Sequence, residues 1–187
     1  MSLRAKTCFF LAGAAIASAG PVLASDNPGA HQHGHAELQL AIEGEQIDLL
    51  FTSPAYNLVG FEHRARSDDQ KALVNEVTNW LGQTPLADTS EGGCTVMNAV
   101  VHHQAGGDDH GHSHGHDHDH QDESSHSDFE VTQTLSCPGL SSSQALATPI
   151  TTRFSGIEHL GVQWVRPQGQ GSARLGHGES RFELRSR

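Results

Sequence analysis

The stretch from Asp108 to His126 reads DDHGHSHGHDHDHQDESSH and combines two kinds of metal ligand at close spacing. Neutral imidazole is a good ligand for zinc, copper and nickel. The histidines of this region are His102, His103, His110, His112, His114, His116, His118, His120 and His126. Carboxylates fill many of the gaps between them, at Asp108, Asp109, Asp117, Asp119, Asp122 and Glu123. Because no Lys or Arg interrupts the segment, it predicts binding of divalent metal ions.

The spacers within this segment are Gly, Ser and acidic residues, with no apolar anchor. Such a composition predicts that residues 104–127, called the His-rich tract below, form a disordered loop until metal binds. Each residue that a metal then orders costs roughly 1–2 kcal/mol of backbone entropy. We therefore expect several interchangeable sites of moderate affinity, which suit capture and release.

A second group of histidines precedes the tract, in HQHGHAEL. His31, His33 and His35 alternate, so a strand that extended back to His31 would direct all three to one face. A tetrahedral zinc site needs a further ligand, for which Glu62 and His63 in GFEHR are candidates. The alternative is a flexible leader, which Gly34 favours. The isolated residues His159 and His177 are expected to be surface or packing residues.

The first 24 residues have the three parts of a secretory signal. Arg4 and Lys6 precede an apolar run, and small residues at Val22 and Ala24 form a cleavage site before Ser25. A membrane anchor is the alternative, but a run of about 14 apolar residues is shorter than the roughly 20 that a spanning helix needs. We expect a secreted chain that does not insert in the membrane after residues 1–24 are removed.

Two cysteines remain after cleavage, Cys94 and Cys137. In a secreted chain they are expected to form a disulfide that encloses the tract. Closing a loop of this size stabilises the folded state by about 4 kcal/mol in the chain-entropy description. The alternative, two thiolate ligands for zinc, is more typical of an intracellular protein.

The charge balance restricts the partners. The chain has 22 Asp and Glu against 11 Lys and Arg, with a formal net charge of −11. Such an excess of negative charge excludes nucleic acid and anionic membrane surfaces as expected partners and favours cations.

The chain before the tract predicts a β-hairpin and a helix. HAELQLAI alternates apolar and polar residues as a half-buried strand does, and QIDLLFTSP follows after a short turn. After the loop AYNLVGFEHRAR, Ser67 can cap a helix whose apolar face carries Leu73, Val77, Trp80 and Leu81. CTVMNAVVHH is a further strand that leads into the tract.

The chain after the tract predicts further strands. DFEVTQTLSC is a strand with Phe129, Val131, Gln133 and Leu135 on one face. A short helix between Gly139 and Phe154 precedes a hairpin in HLGVQWVRPQGQGSARL, with inward residues Val162, Trp164 and Leu175. The fold class is therefore α+β: an antiparallel β-sheet with one long and one short helix, in a single domain over residues 25–187 that the disordered His-rich loop interrupts.

Several of these segments resemble one family over nearly all of the mature chain. HGHAELQLAIEG, SPAYNLVGFEHRARSDDQK, Gly93-Cys94, a His/Asp-rich insertion, LSC and VQWVRPQGQGSARL are similar to periplasmic zinc-uptake accessory proteins of the ZrgA type. The resemblance implies a periplasmic protein of a Gram-negative bacterium that binds zinc and works beside an importer or its periplasmic component. Carried over by position, its metal-binding elements are His31, His33, His35, the His63 motif and the histidines of the insertion.

The sequence is compatible with three functions. The first is a periplasmic zinc-binding protein that captures zinc and assists its uptake by an importer. The second is a metal buffer against excess zinc, nickel or copper without a delivery partner, since imidazole and carboxylate do not by themselves choose zinc. The third and least favoured is a zinc-dependent hydrolase with Glu62 as general base; we expect no enzymatic activity.

Overall fold

The computed structural model describes residues 32–89, 91–104 and 127–185. The predicted signal peptide and residues 105–126 of the tract lie outside these ranges. The elements in chain order are β1 (His35–Glu43), β2 (Gln46–Pro54), α1 (Ala55–Val59), α2 (Asp68–Gln83), β3 (Asp88–Thr89), β4 (Thr95–Gln104), β5 (Asp128–Ser136), β6 (Ala145–Ala147), α3 (Ile150–Arg153), β7 (His159–Arg166), β8 (Gly169–Gly176) and β9 (Arg181–Glu183). No helix within the described ranges has the length and apolar character needed to cross a membrane.

Six strands form the main sheet, in the order β4-β5-β2-β1-β7-β8. The hairpins β1–β2, β4–β5 and β7–β8 are antiparallel, as predicted, and so is the pair β2–β5. The prediction of an antiparallel sheet is wrong at β1 and β7, which pair in parallel. Alternation of apolar and polar residues is the same for either strand direction, and the long chain between these strands supplies the crossover that parallel pairing needs.

The inner face of the sheet carries the core. The residues predicted to face inward are buried, including Leu38, Val131 and Val162, and the parts before and after the tract contribute to one cluster. Helix α2 begins at the predicted cap, where Ser67 and Gln70 form a capping box. Its buried residues are Val77 and Leu81, whereas Leu73 is 37 % exposed. The prediction for Leu73 is wrong because the adjacent residue Val74 packs against the core in this turn of α2.

Two further features differ from the sequence predictions, namely α1 and a second sheet, whereas the expected short helix is present. Residues Ala55–Val59 form α1 where a loop was expected, and this helix ends at Gly60, whose φ is 81°. The short helix expected between Gly139 and Phe154 is α3, preceded by a single 3-10 turn at Leu140–Ser142. Strands β3, β6 and β9 form a small second sheet that the sequence did not predict.

The predicted disulfide between Cys94 and Cys137 is present. Cys94 immediately precedes β4 and Cys137 immediately follows β5, next to the register pair Thr95 and Ser136. The bond therefore closes one end of the β4–β5 hairpin, and the His-rich tract leaves from the other end.

Replacing both cysteines, in the variant Cys94→Ser with Cys137→Ser, should lower the free energy of unfolding by about 4 kcal/mol, because a separation of 43 residues is no longer closed in the unfolded chain. Guanidinium denaturation of the oxidised wild type and the double variant measures the difference. Wild type treated with reductant is the control and should unfold at the midpoint of the variant. Equal midpoints for the variant and the oxidised wild type would contradict a stabilising bond.

Candidate metal centre

The topology brings the described histidines to one edge of the main sheet. Strands β1, β5 and β7 begin at this edge, and β2, β4 and β8 end there. The histidines of the described ranges lie at the ends of these strands or in the segments that continue them, and we call this region the histidine edge: His33, His35, His63, His102, His103, His159 and His177. At about 3.3 Å per residue, β4 and β5 separate this edge from the disulfide by roughly 30 Å.

The tract starts and ends at the histidine edge. Gln104 pairs with Asp128, so the two ends of the tract sequence, Gln104 and Ser127, are ordered although both were expected to be part of a disordered loop. Ser127 is 1 % exposed, and its carbonyl accepts a hydrogen bond of 2.7 Å from the amide of Ala55. Since neighbouring strands lie about 4.8 Å apart, the three steps from β4 to β1 place Gln104 roughly 15 Å from the backbone of His35.

Asn57 of α1 fixes the position of the first residues of β1. Its side chain is buried, and its Oδ1 accepts a hydrogen bond of 2.8 Å from the amide of Gly34. Its Nδ2 donates to the carbonyl of His35 at 2.8 Å and to Oγ of Ser53 at 3.2 Å. One amide group thus joins α1, β2 and the start of β1.

Gly34 completes this junction by joining β1 to β7. Its φ is +83°, a conformation that favours glycine, and its carbonyl accepts hydrogen bonds of 2.8 Å from the amides of both Glu158 and His159. The chain turns at Gly34, so β1 begins at His35 and does not include His33. The expected alignment of His33 and His35 on one face of a strand is therefore wrong.

His35 and His159 lie side by side at the start of the parallel pair β1–β7. They are direct register partners, and their ring centroids are 5.3 Å apart with the planes tilted by 56°. Their neighbours Ala36 and Leu160 are buried in the core, so both imidazoles lie on the outer face of the sheet. His159 was not predicted as a ligand because its partner strand is more than a hundred residues earlier in the chain. The pattern that could have indicated it is that HLGVQWV, like HAELQLAI, is a strand that begins with histidine.

His33 instead contacts α1 and the loop that follows it. Its ring stacks on Tyr56 with a centroid distance of 4.4 Å, and its Nε2 lies 2.8 Å from Oε1 of Glu62. The pair is solvent-accessible, with 54 % and 24 % side-chain exposure for His33 and Glu62. Of the two candidate partners in GFEHR, the structure brings Glu62 to His33.

His63 points elsewhere. Its ring stacks on Phe61, with a centroid distance of 5.1 Å, and its Nδ1 lies 2.9 Å from the carbonyl oxygen of Arg64. The structure thus separates His63 from the pair formed by His33 and Glu62.

The two histidines at the end of β4 lie on opposite faces of the sheet. His102 is exposed on the outer face, opposite Glu130. His103 is on the inner face, where its ring stacks on Phe129 at 4.3 Å and its Nε2 lies 3.1 Å from Oγ of Ser127. Burial lowers the pKa of His103 and so favours the neutral ring.

Within the described ranges, no group of three or more His, Cys, Asp and Glu side chains is arranged to hold a metal ion. Two pairs of potential ligands are in contact at this edge, His35 with His159 and His33 with Glu62. The remaining predicted ligands lie outside the described residues: His31, His110, His112, His114, His116, His118, His120 and His126.

Comparison with known proteins identifies a family. A family model described as ZrgA family zinc uptake protein matches residues 30–184, which include the amino-terminal histidines, both disulfide cysteines and the whole tract. No curated protein matches the chain.

The substitution Asn57→Ala should lower the free energy of unfolding by roughly 2–4 kcal/mol, because it leaves buried backbone groups at Gly34 and His35 without partners. Urea denaturation measures the loss, and amide hydrogen exchange at Gly34 should become faster. The control Asn79→Ala, at an exposed position of α2, should change stability by no more than about 0.5 kcal/mol. Equal effects of the two substitutions would show that Asn57 does not hold the junction.

Proposed function

We propose, from the premise that the chain belongs to the ZrgA family of zinc uptake proteins, that it captures zinc in the periplasm and assists zinc uptake by an importer. The observation that supports this proposal is the convergence of the described histidines at the edge from which the His-rich tract leaves. In this proposal, ligands of the tract collect zinc, and ligands fixed on the sheet hold the ion before transfer.

Covalent geometry supports transfer between the two sets of ligands. His110 lies six residues beyond Gln104, so an extended chain gives it a reach of about 20 Å from that anchor. His35 lies roughly 15 Å from the same anchor by the spacing of the strands. Imidazoles of the tract can thus approach the pair formed by His35 and His159 without any rearrangement of the sheet. Transfer by ligand exchange then moves zinc from many sites of moderate affinity to a fixed position.

The choice of zinc rests on the family. Imidazole and carboxylate also bind nickel and copper, and intrinsic affinity rises toward copper. The disulfide removes Cys94 and Cys137 as thiolate ligands, so the donors that remain are nitrogen and oxygen atoms and the single thioether of Met97. These donors suit zinc and do not favour Cu(I), which prefers thiolate and thioether.

The two other functions considered from the sequence receive less support. A hydrolase with Glu62 as general base needs a metal beside a substrate cleft, but Glu62 and His33 are solvent-accessible. In the described part of the chain, a groove of about 760 Å³ opens between β2, β1, β7 and β8, and its lining, from Gln39 and Asp48 to Trp164 and Gln170, contains no imidazole. A metal buffer without a delivery partner would need only the ligands of the tract, so it would not account for the histidines that are fixed on the sheet.

A variant in which seven histidines are replaced by glutamine, called the tract variant below, tests this proposal. The replaced residues are His110, His112, His114, His116, His118, His120 and His126. The number of zinc ions counted by native mass spectrometry should fall to one, because glutamine keeps the length and charge of the segment but removes imidazole. Asn replacement of Asp108, Asp109, Asp117, Asp119 and Asp122 is the matched control and should reduce affinity while retaining most ions.

Growth experiments separate assisted uptake from buffering. Cells that carry the tract variant should grow poorly at low zinc if the protein assists an importer. Normal growth at low zinc together with sensitivity to excess zinc would show buffering and contradict the proposal. An unchanged zinc count in the tract variant would remove the tract from the metal function altogether.

A further inference from the structure

We propose that His35 and His159 bind one zinc ion on the outer face of the sheet, with Glu37 as the third protein ligand. This inference deepens the proposed function, on which it rests for the choice of zinc. It assigns a ligand role to His159 and Glu37 and locates the fixed position to which zinc is transferred.

The separation of the two imidazoles fits a shared ion. Two imidazole nitrogens that each bind a tetrahedral zinc ion at about 2.0–2.1 Å leave their ring centroids roughly 5 Å apart. The observed centroid distance is 5.3 Å, and the tilt of 56° keeps the rings from stacking on each other. The observed separation of the two rings is therefore the one expected for two imidazoles on a common ion.

The backbone of both histidines is held before any metal binds. The carbonyl of His35 accepts a hydrogen bond from Asn57, and the amide of His159 donates to Gly34. Within the described ranges, the imidazoles that form hydrogen bonds are those of His33, His63 and His103. The ring nitrogens of His35 and His159 are therefore open to a ligand. A fixed backbone with open donor atoms lowers the entropy cost of binding.

Glu37 is the next residue of β1 on the same face as His35. Its carboxylate leans over Gly161, the residue of β7 that pairs with it, and a Cβ atom at Gly161 would lie 2.4 Å from one Glu37 oxygen and 2.7 Å from its Cδ. Gly161 thus provides the space in which this carboxylate lies beside the histidine pair. In the structure, Glu37 does not form a three-ligand group with His35 and His159. Its side chain must therefore rotate to bring a carboxylate oxygen to the ion.

The surrounding charges include both signs. On the β8 side, Glu179 accepts a hydrogen bond of 2.8 Å from the amide of Gly176, which is the direct partner of His159. Arg174, the partner of Gly161, is the cation in the next row and is exposed, so water and salt screen its repulsion of a metal ion. Two carboxylates against one screened guanidinium favour a divalent cation at the pair.

The ligand count sets the character of the site. Two imidazoles and one carboxylate leave a fourth tetrahedral position for water or for a ligand from another molecule. An open position allows a donor to deliver zinc and an acceptor to remove it by stepwise exchange. The site therefore suits transient holding of cargo.

Zinc titration of the full chain carrying the tract substitutions tests this inference, by native mass spectrometry and calorimetry. One ion should remain bound, and adding His159→Gln should weaken it by at least about 100-fold, because even the loss of an outer-shell partner costs roughly 10- to 100-fold. Gln163→Ala, at an exposed position of the same strand, is the control and should retain the affinity. Unchanged thermal unfolding of each variant shows that the sheet is intact.

Two substitutions test the carboxylate. Glu37→Gln and Gly161→Ala should each reduce affinity by roughly 10-fold, the first by removing the anionic oxygen and the second by displacing it. Wild-type affinity in the Glu37→Gln variant would overturn the role of Glu37.

The outcomes separate this inference from the proposed function. If the wild type binds several ions and the tract variant binds none, or if its last ion is insensitive to His159→Gln, the site proposed here is wrong and zinc capture by the tract stands. If the wild type binds no zinc, the proposed function itself fails.

Discussion

The buried amide of Asn57 is the interaction on which the histidine edge depends. It satisfies the amide of Gly34 and the carbonyl of His35, and through Gly34 it holds the amides of Glu158 and His159. The parallel pairing of β1 with β7 starts at this point, so the distance between the imidazoles of His35 and His159 follows from it. A buried amide is costly if its partners are lost, which makes this junction a firm constraint.

The β4–β5 hairpin has the disulfide and the His-rich tract at opposite ends. The disulfide closes one end, whereas Gln104 and Ser127 anchor the tract at the other. Because the entropy cost of a loop grows only slowly with its length, a long ligand-rich insertion between two paired strands costs the fold little. The core on the inner face therefore stays independent of how many ligands the tract carries.

The proposed mechanism uses ligands on the outer face of the sheet together with the tract that leaves from the histidine edge. Many interchangeable ligands on a long segment favour rapid capture, and a few ligands on rigid strands favour a defined position for transfer. Neighbouring strands place Gln104, where the tract begins, roughly 15 Å from the backbone of His35, which is less than the reach of about 20 Å from Gln104 to His110. The same small region can then collect the ion and present it.

The sequence by itself determined the local features: the hairpins β1–β2 and β7–β8, the cap of α2 at Ser67, the inward residues of the strands and the disulfide partners. Each follows from a pattern within a few residues or from a simple count of cysteines. Only the tertiary structure decided that β1 and β7 pair in parallel, that His35 meets His159 and that His33 meets Glu62. Such contacts join distant segments through strand order and through buried polar groups such as Asn57, and local alternation contains no information about either.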